Sequence, residues 1–275
     1  MPNIQDHVLY ENFVLADEYA SILYTKLNVK NFMTLDNSLV EQAGMIKKIN
    51  TYTYAGKVEK LGRNAKNSDA ARGKVTVTTT PYNVAVNQQV FDYTDEDQMV
   101  DPNVVTVGLK GMAEVTVNDF TDAFFVEAAK ATLSQNFPTA TGISYDIVVD
   151  AIAQMNLEDE AGLFLIINPA QKAAIRKDPD FKGARLGEIL FNGQIGSIGG
   201  VPVVVSKKAA TPVLATKEAI TLFTKKDNEV EQDRDKEARV NTVIARTVYI
   251  CALTDATKIV KFVENYWYYS QNVLL

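Results

Sequence analysis

Apolar and polar positions alternate with the two-residue period of β-strands in residues 50–54 (NTYTY) and 74–80 (KVTVTTT). Between them, residues 62–73 (GRNAKNSDAARG) contain no large apolar side chain. This pattern predicts one long hairpin over 49–90, with a polar tip and strands built mainly of Thr, Tyr and Val. A two-stranded ribbon with so little core of its own is marginal in water. It needs another surface to lie on, and a neighbouring subunit is the obvious candidate.

Upstream, residues 6–27 are apolar at Val8, Leu9, Phe13, Leu15, Ile22 and Leu23 without a sustained period. They read as an extended arm with a short helix around 17–25. Downstream, residues 82–91 form a second extended run, followed by an acidic turn at 92–97. Asp101 and Pro102 then read as an N-cap and a first helical position. Val105, Leu109, Met112, Thr116, Phe120, Phe124 and Ala128 follow at steps of three or four, which predicts one spine helix continuing to about Gln135. At about 1.5 Å per residue it would measure roughly 50 Å. Its early turns are rich in β-branched residues, so packing has to hold it.

A second amphipathic helix is expected over 144–157, with Ile147, Val148, Ala151, Ile152 and Met155 on one face. Residues 163–167 (LFLII) predict a fully buried strand, and 170–177 a short helix. A glycine-rich loop at 178–200 leads into a strand at 201–205, and another strand is expected at 219–224. Beyond a charged stretch at 229–239, residues 240–253 read as a long strand that turns at Thr254 and Asp255. It is expected to return through 258–263 as a second hairpin. No repeat of 20–50 residues is present.

At 275 residues, with 47% hydrophobic and 23% charged side chains, the composition is that of a globular protein with one lobed unit or two modest lobes. No apolar run approaches the roughly 20 residues needed to span a bilayer. The first ten residues do not read as a secretion leader, so a cytoplasmic origin is expected. The net charge of -6 argues against a protein that holds nucleic acid by neutralising phosphates, although it permits one that encloses it. The single cysteine, Cys251, suits a buried strand position.

Candidate chemistry is sparse. His7 is the only histidine and falls in the arm, which disfavours a nucleophilic triad and a zinc site. Gly193, Gly196, Gly199 and Gly200 invite a dinucleotide reading, but they lead into a strand instead of following one and opening a helix. Asp92, Asp95, Glu96 and Asp97 read as a solvated cluster favoured by a helix dipole. The aromatic run at 266–269 (YWYY) suits packing at a lobe or subunit boundary. The charged stretch, which alternates in sign, serves either as a solvated face or as a contact between identical subunits. No catalytic, cofactor-binding or metal-binding residue is assigned. Arg63, Lys66 and Arg72 at the hairpin tip, with Glu231, Asp233 and Arg234 in the charged stretch, are the candidates for inter-subunit contact.

The order arm, long hairpin, spine helix, mixed lobe and returning strands resembles the Hong Kong 97-type coat proteins of tailed bacteriophages. The residues that carry the resemblance are 164–169 (FLIINP) leading to Asp178 and Pro179, then 198–203 (IGGVPV), then 230–235 (VEQDRD) before the closing strands. The resemblance implies an α+β capsid fold with four parts. These are an N-terminal arm (1–48), an extended hairpin or E-loop (49–91), a peripheral or P-domain holding the spine helix (92–141 and 225–275), and an axial or A-domain (142–224). It implies a non-enzymatic subunit of the virion capsid that forms homo-pentamers and homo-hexamers and closes an icosahedral shell around double-stranded DNA in the host cytoplasm. It implies no cofactor and no membrane. Some members join subunits through a lysine-to-asparagine isopeptide bond; Lys57, Lys60, Lys66 and Lys74 lie on the hairpin, but no motif identifies a partner asparagine. Some carry a long charged helical extension before the arm, and its absence here leads to the expectation of a separate scaffolding protein and a portal. Two alternatives stand beside this reading: an encapsulin-like compartment shell, and a small-molecule enzyme using the glycine loop.

Overall fold

The structure is a computed structural model that describes residues 29–40, 44–179 and 196–265, together with Leu15 and Tyr19. The expectations for His7, for most of the arm helix, for the centre of the glycine-rich loop and for the aromatic run at 266–269 lie outside the described residues.

After a 3-10 turn at Val29–Phe32 and a short strand β1 (Thr34–Asp36), the chain runs out along β2 (Ile46–Ala55) and back along β3 (Lys74–Asn83). The two pair antiparallel without a slip from Ile46↔Asn83 to Ala55↔Lys74, and among the described residues no third strand joins them. The expected hairpin is therefore present, but it closes at Asn83. The Val84 amide donates to the Met45 carbonyl at 2.8 Å, and the chain leaves for a different sheet as β4 (Ala85–Thr94). The extended run expected at 82–91 is thus divided between two sheets.

The acidic turn is the end of β4 followed by a short helix, α1 (Asp95–Val100). Thr94 and Asp97 form a reciprocal capping box that starts this helix. Asp101 is the C-cap of α1, and its carboxylate accepts from the Asn103 amide at 2.9 Å in the turn that leads into α2 (Val104–Ala128), so it caps that turn and not, as expected, the first turn of the helix, where Asn103 makes no side-chain cap bond. The carboxylate is thus engaged before the helix begins. The spine also ends earlier than expected, because residues 133–138 pair as strand β5 (Leu133–Pro138). Its 25 residues span about 37 Å, not 50.

A four-stranded sheet in the order β1-β10-β11-β4 packs on the spine, with β10 at Ile220–Asp235 and β11 at Val240–Leu253. The expected strand at 219–224 and the charged stretch are one continuous strand, bent by irregularities between Thr224 and Glu229. It pairs antiparallel with β11, which pairs antiparallel with β4. The second hairpin is therefore β10 with β11. The segment after Thr254 does not fold back on β11: strand β12 (Ile259–Asn265) crosses to the other sheet instead. There Ile259 is buried in the cluster where the two sheets meet, and Val260 and Phe262 are buried in the core of the second lobe.

That second sheet has the order β5-β12-β9-β6-β8-β7, with β6 at Leu163–Ile167, β7 at Ser197–Ile198, β8 at Val201–Val205 and β9 at Val213–Thr216. All five residues of β6 are buried, as its unbroken apolar run predicts. Helix α3 (Tyr145–Met155) starts at the Ser144 cap and ends at Asn156 in the left-handed conformation, and α4 (Pro169–Lys177) starts at the Asn168 cap with proline in the first turn. Gly199 and Gly200, at φ +55° and +83°, make the tight β7–β8 turn, the backbone that a two-residue hairpin demands. Their spacing reflects a turn, not a phosphate cradle.

Candidate assembly surfaces

The spine helix divides the molecule's interior. Its first half, through Val105, Leu109, Met112 and Val117, packs with Tyr93, Val230, Val243 and Ala245 of the four-stranded sheet. Leu15 and Tyr19 of the arm complete this cluster, and the Tyr19 hydroxyl bonds the Thr116 hydroxyl. Its second half, through Phe120, Phe124 and Ala128, meets Phe164, Ala215, Leu222 and Ile259 where the two sheets converge. Cys251 is buried in that cluster as expected, with its thiol pushed well above the usual range by burial. Polar bonds fix the contact: Asn87 Nδ2 donates to Asp119 Oδ2 at 2.8 Å, and the Tyr249 hydroxyl donates to the same oxygen at 2.6 Å. Burial and that carboxylate raise the tyrosine's pKa well above the ordinary phenol value.

Strand alternation then sorts the charged stretch into two populations. Val230, Gln232 and Arg234 point toward the spine, whereas Glu229, Glu231 and Asp233 point to the other face of the sheet. Arg234 is mostly covered and donates to Asp95 Oδ2 at 2.7 Å, and Gln232 Nε2 donates to the Tyr93 hydroxyl at 2.7 Å. Glu231 is 3.5 Å from Arg246 of β11 and nearly half exposed, and Asp233 is exposed. Of the candidates read from this stretch, Glu231 and Asp233 face outward, while Arg234 has a role within the subunit.

The ribbon stands on that same outer face. Ile49 and Tyr82 at its root join Leu39, Phe223, Val248 and Ile250 in a small cluster, and Lys47 lies 4.8 Å from the Phe223 ring centre. Beyond the root, every residue of β2 from Asn50 and every residue of β3 up to Pro81 is exposed. At the far end Tyr54 leans over the backbone of Gly56 and Gly73, where any Cβ would overlap its ring. In the tip, Arg63 and Lys66 are exposed, and Arg72 makes only a loose ion pair with Asp69 at 3.4 Å. The tip candidates and the sheet candidates therefore occupy separate regions of one subunit.

Sequence reading missed the sidedness of the ribbon. In the observed register Tyr52 faces Val77 and Tyr54 faces Val75, which gathers the aromatic and aliphatic side chains on one side. The signal was available as alternation within each strand. Only the pairing of the two strands brings the four residues together.

The comparisons with known proteins agree with this architecture. Residues 76–262 match the family model described as phage capsid protein. The chain is 25% identical over 260 residues to the major capsid protein of Staphylococcus phage phiMR11, covering 92% of each chain. It superposes on the mature capsid protein of bacteriophage PhiM1 with a TM-score of 0.64 at 11% identity, covering 97% of this chain and 91% of that one. A virus-like particle from Pyrococcus furiosus gives a TM-score of 0.60 at 11% identity, over 93% of this chain and 100% of that one. These structural likenesses concern the fold, which is the α+β Hong Kong 97-like fold. With the family model covering most of its length, the chain belongs to the phage capsid protein family, as a major capsid protein of the tailed-phage kind.

Proposed function

We propose that the chain self-assembles as pentamers and hexamers into an icosahedral shell that encloses phage double-stranded DNA, by contacts between different patches on identical copies. The observation that carries this reading is the ribbon: ten-residue strands, exposed beyond their root and joined by no third strand among the described residues. Such a ribbon gains stability only by lying on something else. A chain of net charge -6 lines such a container without gripping the packed phosphates.

In this reading the subunit is divided into the arm (1–48), the E-loop (49–91), a peripheral domain (92–141 and 225–275) and an axial domain (142–224). Sheet pairing moves some borders, since β5 and β12 join the sheet of the axial domain and β4 joins that of the peripheral domain. Arg63, Lys66, Arg72, Glu231 and Asp233 remain the proposed inter-subunit contacts. The subunit does no catalysis. Assembly takes place in the host cytoplasm with a separate scaffolding protein and a portal; efficient shell formation by this chain expressed alone would remove the scaffold.

Deleting residues 63–72 tests the reading. The expected product is a soluble, folded subunit that yields no stable shells in electron micrographs. Intact particles from the deletion would show the tip to be dispensable. A compartment shell enclosing protein shares the fold, and nuclease-protected DNA in purified particles separates the two.

A further inference from the structure

Part of β4 inverts the usual strand pattern. Phe91 and Tyr93 face the spine with the core residues, yet the two preceding inward positions are Asn87 and Gln89, while Val86 and Val90 turn out and are 54% and 53% exposed. Thr247, which pairs with Asn87, and Tyr249 are the buried inward residues of β11 at the same level. Breaks of this kind in an otherwise consistent pattern concentrate at functional sites. The apolar clusters along the spine part here, and a cavity of about 340 Å³ lies between the spine, at Val115, Thr116 and Asp119, and these strands. Sites for small molecules begin at about 300 Å³.

The fold uses the donors around this cavity and leaves acceptors. Asn87 Nδ2 and the Tyr249 hydroxyl both donate to Asp119 Oδ2, the Thr247 hydroxyl donates to Asn228 Oδ1 at 2.9 Å, and the Thr116 hydroxyl donates to the Met112 carbonyl at 3.1 Å. The Gln89 amide is bonded to Thr116. What these groups still offer is oxygen: Asp119 Oδ1 and Asn87 Oδ1, neither with a partner among the described residues, and the lone pairs of the hydroxyls. Asp119 is the one charged side chain among the described lining residues, and it forms no salt bridge with any of the described residues. An anion would meet this negative charge with few donors to hold it. A divalent metal ion would find one carboxylate, where it takes several oxygen ligands. An ammonium group brings one positive charge and three donors.

We propose that the cavity binds an alkylammonium ion, its nitrogen between Asp119 Oδ1 and Asn87 Oδ1 and its alkyl chain against Val115 and Ala245. Bound there, the ion ties β4, the strand that continues from the ribbon, to the middle of the spine. The same chemistry is offered by a free amine and by the lysine side chain of a second copy.

The probe is n-butylammonium chloride, added to the unassembled full-length subunit at constant ionic strength, with n-butanol and sodium chloride as controls. The ammonium is expected to raise the melting temperature saturably and to give saturation-transfer NMR signals on its alkyl protons, and the controls to do neither. Asp119→Asn, whose amide oxygen can still accept from Asn87 and Tyr249, is expected to weaken binding at least about tenfold, the loss of a charge-assisted hydrogen bond. Asp150→Asn, at an exposed acid of α3, is expected to leave it unchanged. Val115→Lys, which tethers an ammonium one helical turn from Asp119, is expected to exclude the probe. Circular dichroism checks that the variants fold, and if Asp119→Asn does not, the comparison of butylammonium with butanol on the parent still decides. An equal effect of butanol or of sodium, or parental affinity in Asp119→Asn and Val115→Lys, would overturn the proposal and leave the shell reading intact. Repeating the titration on assembled particles separates the two sources. Uptake by both forms assigns the cavity to a free amine, and uptake by the unassembled subunit alone assigns it to a lysine of a second copy.

Discussion

Arg234 Nη2 donates to Asp95 Oδ2 at 2.7 Å across 139 residues of sequence, joining the end of β10 to the first residue of α1. Asn241 Nδ2 donates to the other oxygen of the same carboxylate at 2.9 Å. One buried carboxylate therefore holds together the turn of the β10–β11 hairpin and the entry to the spine.

Asp95→Ala should be costly for this reason. It strips a partner from a guanidinium whose side chain is only 25% exposed and leaves the Asn241 amide unsatisfied. Breaking a buried pair from one side costs about 3–5 kcal/mol; with Arg234 partly solvated, a loss of about 2 kcal/mol is expected. Urea unfolding of the unassembled subunit measures it, and an unchanged midpoint would contradict the assigned role.

The capping box makes a pH-dependent prediction. The Thr94 hydroxyl and amide hold the exposed Asp97 carboxyl below its ordinary value of 3.8. A depressed carboxylate contributes stability that is fully present above its unfolded value and fades as pH falls through the folded one. Asp97→Ala should therefore lower the melting temperature near neutrality and cease to matter in strong acid. Thr94→Ala should cost about 1 kcal/mol near neutrality, as loss of a helix N-cap does. Melting curves across that pH range decide both.

Two glycines three residues apart in the spine should respond with opposite sign. A Cβ on Gly111 meets open space, whereas one on Gly108 would overlap the Phe91 ring. Gly111→Ala should stabilise the unassembled subunit by up to about 1 kcal/mol through helix propensity. Gly108→Ala should destabilise it by about 1–2 kcal/mol, because Phe91 of β4 must give way, and Phe91→Leu in the same chain should recover part of that loss.

Where a single periodicity decided the outcome, the sequence was readable. The buried strand β6, the helices expected at 144–157 and 170–177 and the apolar stripe of the spine all follow from local pattern. Choices of partner were not readable from one segment alone. Ile259 to Phe262 has the same alternation whether it folds back on β11 or crosses to β5 and β9, and the burial of its apolar residues between those strands is a property of the assembled lobe. The spine starts at Val104, three residues after Asp101, because the Asp101 carboxylate closes the connecting turn at Asn103 while Thr94 starts the separate helix α1. At the surfaces, six charged candidates were visible as composition. Strand parity, which puts Arg234 on one side and Asp233 on the other, required knowing that the charged stretch is a strand.

The placement of β12 also bears on when a newly made subunit can associate. Lying second in its sheet, it gives β5 its only strand partner among the described residues, and β11 does the same for β4. Both sheets therefore wait for residues 240–265, the last part of the described chain to leave the ribosome. Until then the nascent polypeptide lacks a finished platform for a neighbour's ribbon, so translation itself sets the order of events: first a whole subunit, then a lattice.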